Sequence, residues 1–178
     1  GPNTSGILLR AEADARILTD IEDNRIRYNS ADGIKLSTRE NDPTDIRQIG
    51  GTWVKNVITD NGGHGIEVIG RHGLYDNITE IVPDTPPGEP ALPPEMVVTP
   101  LFIGIEGIDP VDGKDRRNVV SGNGLDGLTV NRGGYLSFAN NVVKLNGTGG
   151  IDIDPIGLNP NQTTSIHGNE LSENRGIG

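Results

Sequence analysis

The chain has 178 residues, a formal net charge of −10 and only 3% aromatic residues. It is long enough to bury one core, but too acidic to offer the Lys and Arg surface that displaces counterions from nucleic acid. The absence of Cys excludes disulfide frameworks and thiolate metal sites. No apolar run approaches the ~18 residues of a bilayer span, so neither a nucleic-acid partner nor membrane insertion is expected.

Taken in order, residues 3–178 read as one domain. Gly1-Pro2 is read as the scar of a removed tag. Gly6-Ile7-Leu8-Leu9 resembles the tail of a unit that recurs downstream as N-x-[IV]-x-x-N-x-x-x-G-[IL]-x-[LIV]. Asn24–Leu36 fits every position, and after a polar excursion at residues 39–52 so does Asn56–Val68. Gly73–Val82 is either another short coil or part of a large loop, so an extra coil within 71–94 stays open. Residues 83–100 hold seven Pro, which cannot donate to a sheet ladder and are expected to run extended on the surface. Glu95–Gly107 reads as a degenerate copy with Gly104-Ile105 in place. Asn118–Val130 and Asn141–Ile153 align without a gap, 23 residues apart, and Asn169 opens a last copy that is one residue short before Gly176-Ile177. Ending inside a repeat suggests a piece of a longer protein.

The variable interval between the aligned Gly suits short coils carrying loops at one corner, because helical repeats hold their length more tightly. Apolar residues alternate with period two in runs such as Gly127-Leu-Thr-Val130, the signature of strands. Inward Ile, Val and Leu would form a continuous column. Asn at the first and sixth positions would stand at corners, adopt the left-handed conformations that corners need and stack as a hydrogen-bonded ladder. Gly at the tenth position would relieve crowding where a strand begins. Trp53 aligns with Ile21, Phe138 and Ile166, so it is expected in the core.

On this repeat, which covers nearly the whole chain, the sequence resembles right-handed parallel β-helix repeat proteins, the pectate-lyase-like group of polysaccharide lyases, alginate epimerases and surface proteins. The resemblance implies an all-β, single-stranded, right-handed parallel β-helix of about six or seven coils with insertions at 39–52 and 83–100. A leucine-rich repeat is the competing fold, but it places Leu where Ile and Val dominate here, and its Asn elsewhere. The resemblance further implies a secreted or cell-surface bacterial protein.

Members that are enzymes carry their sites on a solvent-facing parallel sheet, where carboxylate-held Ca²⁺ neutralises a sugar acid while a basic residue removes the adjacent proton. Two residues past each Gly come Lys35, Glu67, Glu106, Thr129 and Asp152; two further on come Ser37, Ile69, Ile108, Asn131 and Asp154. Hard carboxylate oxygens are what Ca²⁺ requires. The weak Ca²⁺ candidates are therefore Glu67, Glu106, Asp152 and Asp154, with Asp109 and Asp112 of an acidic Asp-Gly turn. The plainer reading is that these acids keep an exposed strand soluble. The alginate epimerases' Asp-Pro-His motif is absent: Asp42, Asp109 and Asp154 each precede Pro without the His. His64, His72 and His167 share no column and read as surface residues. No catalytic residue and no certain cofactor is assigned. The expectation is a non-catalytic segment acting as rigid scaffold and interaction surface for polysaccharide or neighbouring domains. The alternative is part of a polysaccharide lyase, epimerase or hydrolase acting on acidic polysaccharide.

Overall fold

A computed structural model describes residues 4–11, 16–38, 48–50, 53–69, 75–81, 95–103, 115–131, 136–154 and 164–176. Every regular element among them is a strand, and the ladders run parallel with one exception. The chain visits three sheets in turn, five times over. The first sheet takes Ile7–Ala11, Ile34–Thr38, Ile66–Ile69, Leu128–Asn131 and Ile151–Asp154. The second takes Ile21–Glu22, Trp53–Val54, the end of Glu95–Ile103, Leu136–Ala139 and Thr164–His167. The third takes Arg25–Arg27, Val57–Thr59, Val119–Ser121, Val142–Lys144 and Glu170–Ser172. In each sheet the strands lie in chain order, an arrangement compatible with a parallel β-helix.

Alternation within the strands sends one face of each sheet into a shared core. Ile34, Ile66 and Leu128 are fully buried in the first sheet, Trp53 and Phe138 in the second, and Ile58, Val120 and Val143 in the third. Each such side chain contributes roughly 1.5–3 kcal/mol relative to exposure, so the stack is held by the column and not by any one turn. Trp53 pairs in register with Ile21 on one side and Ile103 on the other, and Phe138 pairs with Ile166. The expected core position is met.

The Asn columns are present and continuous. At the first position the amide oxygen of Asn118 accepts both the backbone N–H and the side-chain Nδ2–H of Asn56, each at 3.0 Å. Asn118 in turn donates its N–H (3.2 Å) and Nδ2–H (2.8 Å) to Asn141. At the sixth position Asn29, Asn61, Asn123, Asn146 and Asn174 are linked the same way. The remaining Nδ2–H reaches a backbone carbonyl, Trp53 for Asn118 (2.8 Å) and Ile58 for Asn123 (3.3 Å). Asn56, Asn61, Asn118, Asn123, Asn141 and Asn146 are all buried, and a fully bonded amide is the form in which such burial is tolerated.

The left-handed corners, however, are not at these Asn. For every ladder Asn except Asn118 they fall on the residue immediately before it: Asp23, Lys55, Asn140 and Gly168 before the first position, and Tyr28, Asp60, Gly122, Leu145 and Glu173 before the sixth. The turn must be made one residue early so that the Asn side chain points inward onto the ladder.

The register also corrects the alignment. Leu128 pairs directly with Ile66 and Thr129 with Glu67, so no copy centred on Gly104 stands between them. Glu95–Ile103 instead belongs to the second sheet, where Ile103 lies between Trp53 and Phe138. Gly65 and Gly127 are therefore one pass apart, and the described residues give five passes, not six or seven. Tyr75–Ile81 is no coil either; it pairs antiparallel with Glu95–Ile103, the one antiparallel ladder. The Pro-rich stretch thus joins the sheet from residue 95, and residues 82–94 lie outside the described ones. The 39–52 excursion holds a short strand, Gln48–Gly50, parallel to Arg16–Leu18. At the far end the Arg175 N–H donates to the Asn146 carbonyl as Gly147 does to Asn123. This puts Arg175 at the seventh position and Gly176 at the eighth, so Gly176 is not the aligned Gly. No helix among the described residues is long and apolar enough to cross a membrane.

Candidate functional site

The first sheet presents the richest polar surface among the described residues, and two adjacent columns build it. One is the twelfth position of the repeat, where Lys35 pairs in register with Glu67, and Thr129 with both Glu67 and Asp152. The other is the ninth, the residue before each Gly, which stacks Asp32, His64 and Asp126. Lys35 forms an ion pair with Glu67, and its Nζ is 3.7 Å from the Asp32 carboxylate. Asp32 is buried, and its Oδ1 accepts the backbone N–H of His64 at 2.9 Å.

His64 has the carboxylate neighbour that the sequence did not show. Its Nδ1 accepts the backbone N–H of Asp126 at 3.3 Å and stands 3.3 Å from the Asp126 carboxylate. Asp126 is held from the next pass by the Thr148 hydroxyl, which donates to Oδ1 at 2.6 Å. An Nδ1 that accepts carries the ring proton on Nε2 in the neutral imidazole; protonation at Nδ1 would turn that nitrogen into a donor toward the carboxylate. Ser30, Asp32, Lys35, His64 and Glu67, with Leu8, line a cleft of about 650 Å³. Its lining holds both donors and acceptors.

No protein-family model, curated protein or solved structure matches this chain. What the site can do therefore rests on its own geometry.

Of the predicted metal ligands, Glu67, Asp152 and Asp154 lie among the described residues, and these three form no cluster. Glu67 is engaged by Lys35, which supplies the positive charge a cation would bring. Glu67 and Asp152 are two rungs apart with Thr129 between them, about 9–10 Å at the usual strand spacing. A shared Ca²⁺ needs its oxygens at about 2.3–2.6 Å. Thr129 itself is only 3% exposed, so the face is not open solvent at that rung. Asp152 and Asp154 lie on the same side of Ile151–Asp154, with Asp152 exposed and Asp154 half-buried. Glu106, Asp109 and Asp112 lie outside the described residues. Among the described residues no three acids or histidines group to hold a metal ion. The described carboxylates do not fit Ca²⁺.

Sequence reasoning missed Asp32, His64 and Asp126. The signal was there, since all three precede an aligned Gly. Counting Gly104 as a copy inserted Ile103 between His64 and Asp126 and hid the pairing. His72 lies outside the described residues, and His167 is exposed at the end of the second sheet.

Proposed function

We propose that this chain is a right-handed parallel β-helix serving as a rigid, non-catalytic scaffold of a secreted or cell-surface bacterial protein, with the cleft on its first sheet as a polysaccharide-binding surface. The observation that carries the reading is the cleft lining: Ser30, Lys35, His64 and Glu67 offer both donors and acceptors from a surface whose backbone is fixed by ladders on either side. A sugar chain presents closely spaced hydroxyls of both kinds, and a preformed surface binds it with little ordering cost. The test is calorimetric titration with neutral and acidic oligosaccharides. Binding should weaken at least about 10-fold, a loss of ~1.4 kcal/mol, in Lys35→Ala and Glu67→Ala. Absence of binding to either class overturns the reading.

One observation favours a second reading, an enzyme acting on acidic polysaccharide. His64 Nδ1 stands 3.3 Å from the Asp126 carboxylate beside the cleft; with the ring proton on Nδ1 that carboxylate would orient the imidazole and leave Nε2 as a general base. That reading requires chain shortening or new unsaturated-sugar absorbance on incubation with uronic-acid polymers, abolished in His64→Gln. The scaffold reading requires that neither occur.

A further inference from the structure

The three Asn-Gly pairs of the chain, Asn61-Gly62, Asn123-Gly124 and Asn146-Gly147, all fall at the sixth and seventh positions of the repeat. The fold asks for each half of the pair separately. The ladder needs a side chain that accepts from the pass before and donates to the pass after. Asn123 does both, accepting from Asn61 and donating to Asn146, each at 2.9 Å. The residue that follows lies against the preceding pass, and a Cβ on Gly124 or Gly147 would run into the carbonyl oxygen of Gly62 or Gly124.

Asn followed by Gly is the dipeptide most prone to deamidation, because without a Cβ the Gly nitrogen swings easily onto the Asn side chain. That nitrogen loses its proton and attacks Cγ. A C–N bond forms, ammonia leaves, and water opens the cyclic imide to aspartate or isoaspartate. The closed stack blocks this chemistry at both reacting groups. The N–H groups of Gly62, Gly124 and Gly147 each donate at 2.8 Å to a carbonyl one pass earlier, those of Asn29, Asn61 and Asn123. The proton that must leave is therefore held, and the nitrogen cannot turn. Each Asn amide is bonded on both sides, and all three side chains are buried away from water.

We propose that Asn61, Asn123 and Asn146 are modification sites that deamidate when their pass opens, and that the product keeps the pass from closing again. A carboxylate accepts hydrogen bonds and donates none. Aspartate at position 123 would lose the N–H bonds to Asn146 Oδ1 (2.9 Å) and to the Ile58 carbonyl (3.3 Å) and set charged oxygen against both. Isoaspartate adds a methylene to the backbone as well. Burying an unpaired carboxylate is strongly unfavourable. Local opening is reversible on its own; conversion makes it permanent. A copy that stays open is thereby marked and removed from the folded population.

The test is incubation of the 178-residue chain at mildly alkaline pH, in buffer and in denaturing urea, with peptide mapping by mass spectrometry at the three sites. A synthetic peptide of residues 119–130 in both solvents corrects for the solvent itself. The corrected rate at each site should be at least about 100-fold lower in the folded chain, since reaction must wait for opening, and should rise as sub-denaturing urea is added. Chain converted in urea and returned to buffer should recover less of the buried Trp53 fluorescence than briefly unfolded chain, and Asn123→Asp should reproduce that loss. Equal rates in folded and unfolded chain overturn the proposal, as does full recovery of fluorescence and melting temperature by the converted chain.

Discussion

Asn118→Ala removes one rung of the first-position ladder at its most enclosed point. Three groups lose partners at once, the Asn56 N–H and Nδ2–H, both at 3.0 Å, and the Trp53 carbonyl at 2.8 Å, while the Asn141 amide oxygen keeps only the backbone N–H of residue 118. A buried polar group left without a partner costs about 1–3 kcal/mol. With partial relaxation into the small cavity, the total should be about 3–5 kcal/mol, a large share of the ~5–15 kcal/mol that holds a typical domain together. Asn24→Ala is the control. Asn24 is exposed and no earlier Asn among the described residues donates to it, so its loss should cost less than about 1 kcal/mol. Trp53 is the only Trp in the chain and is buried beside the substituted rung, so its fluorescence reports guanidinium unfolding directly. Equal costs for the two variants would show that the ladder is not a cooperative source of stability, and the reasoning would fail.

A Cβ on Gly65 would stand 2.7 Å from the Gly127 carbonyl oxygen and press on the Val120 side chain, so Gly65→Ala should lower the melting temperature by several degrees; an unchanged melt would mean the passes can spread apart freely. Leu145 holds φ 58° with its side chain 52% exposed, where Gly122 stands one pass earlier. Leu145→Gly should therefore stabilise by about 0.5–1 kcal/mol as left-handed strain is relieved, and a loss of stability in chemical denaturation would refute this. Hydrogen bonds from Arg117 to Asp115 and from Lys55 to Glu22 hold both carboxyls below their ordinary range. Their stabilisation is complete above about pH 5 and is lost as pH falls through the lowered folded values. It is modest because both pairs are largely exposed. Melting temperature against pH should show an acid limb that flattens in Arg117→Met; an identical limb would remove these pairs from the explanation.

Much of the architecture was legible because the repeat reports on backbone geometry directly. Period-two runs gave the first-sheet strands, the core position of Trp53 followed from its alignment with Ile21 and Phe138, and the Asn were read as a ladder. The misreadings arose where local resemblance competed with long-range register. Gly104-Ile105 matches the unit, yet whether a stretch forms a pass depends on which strand it meets, and Ile103 meets Trp53. The site was hidden for the same reason. His64 and Asp126 are 62 residues apart, and nothing local to either says that one rung separates them. The left-handed corners were displaced by one residue because Asn is tolerant of that conformation, whereas the ladder needs its side chain turned inward.

The one-way hydrogen bonding of the Asn columns has an electrostatic consequence. Amide groups aligned head to tail add their dipoles, as peptide units do in an α-helix, where they sum to about half an elementary charge at each end. Here two such columns run side by side, leaving partial positive charge near Asn169 and Asn174 and partial negative charge near Asn24 and Asn29. Glu170 and Glu173 flank the positive end, and Arg25 and Arg27 flank the negative one. Like a helix with acids in its first turn and bases in its last, the stack places its formal charges where its own field favours them.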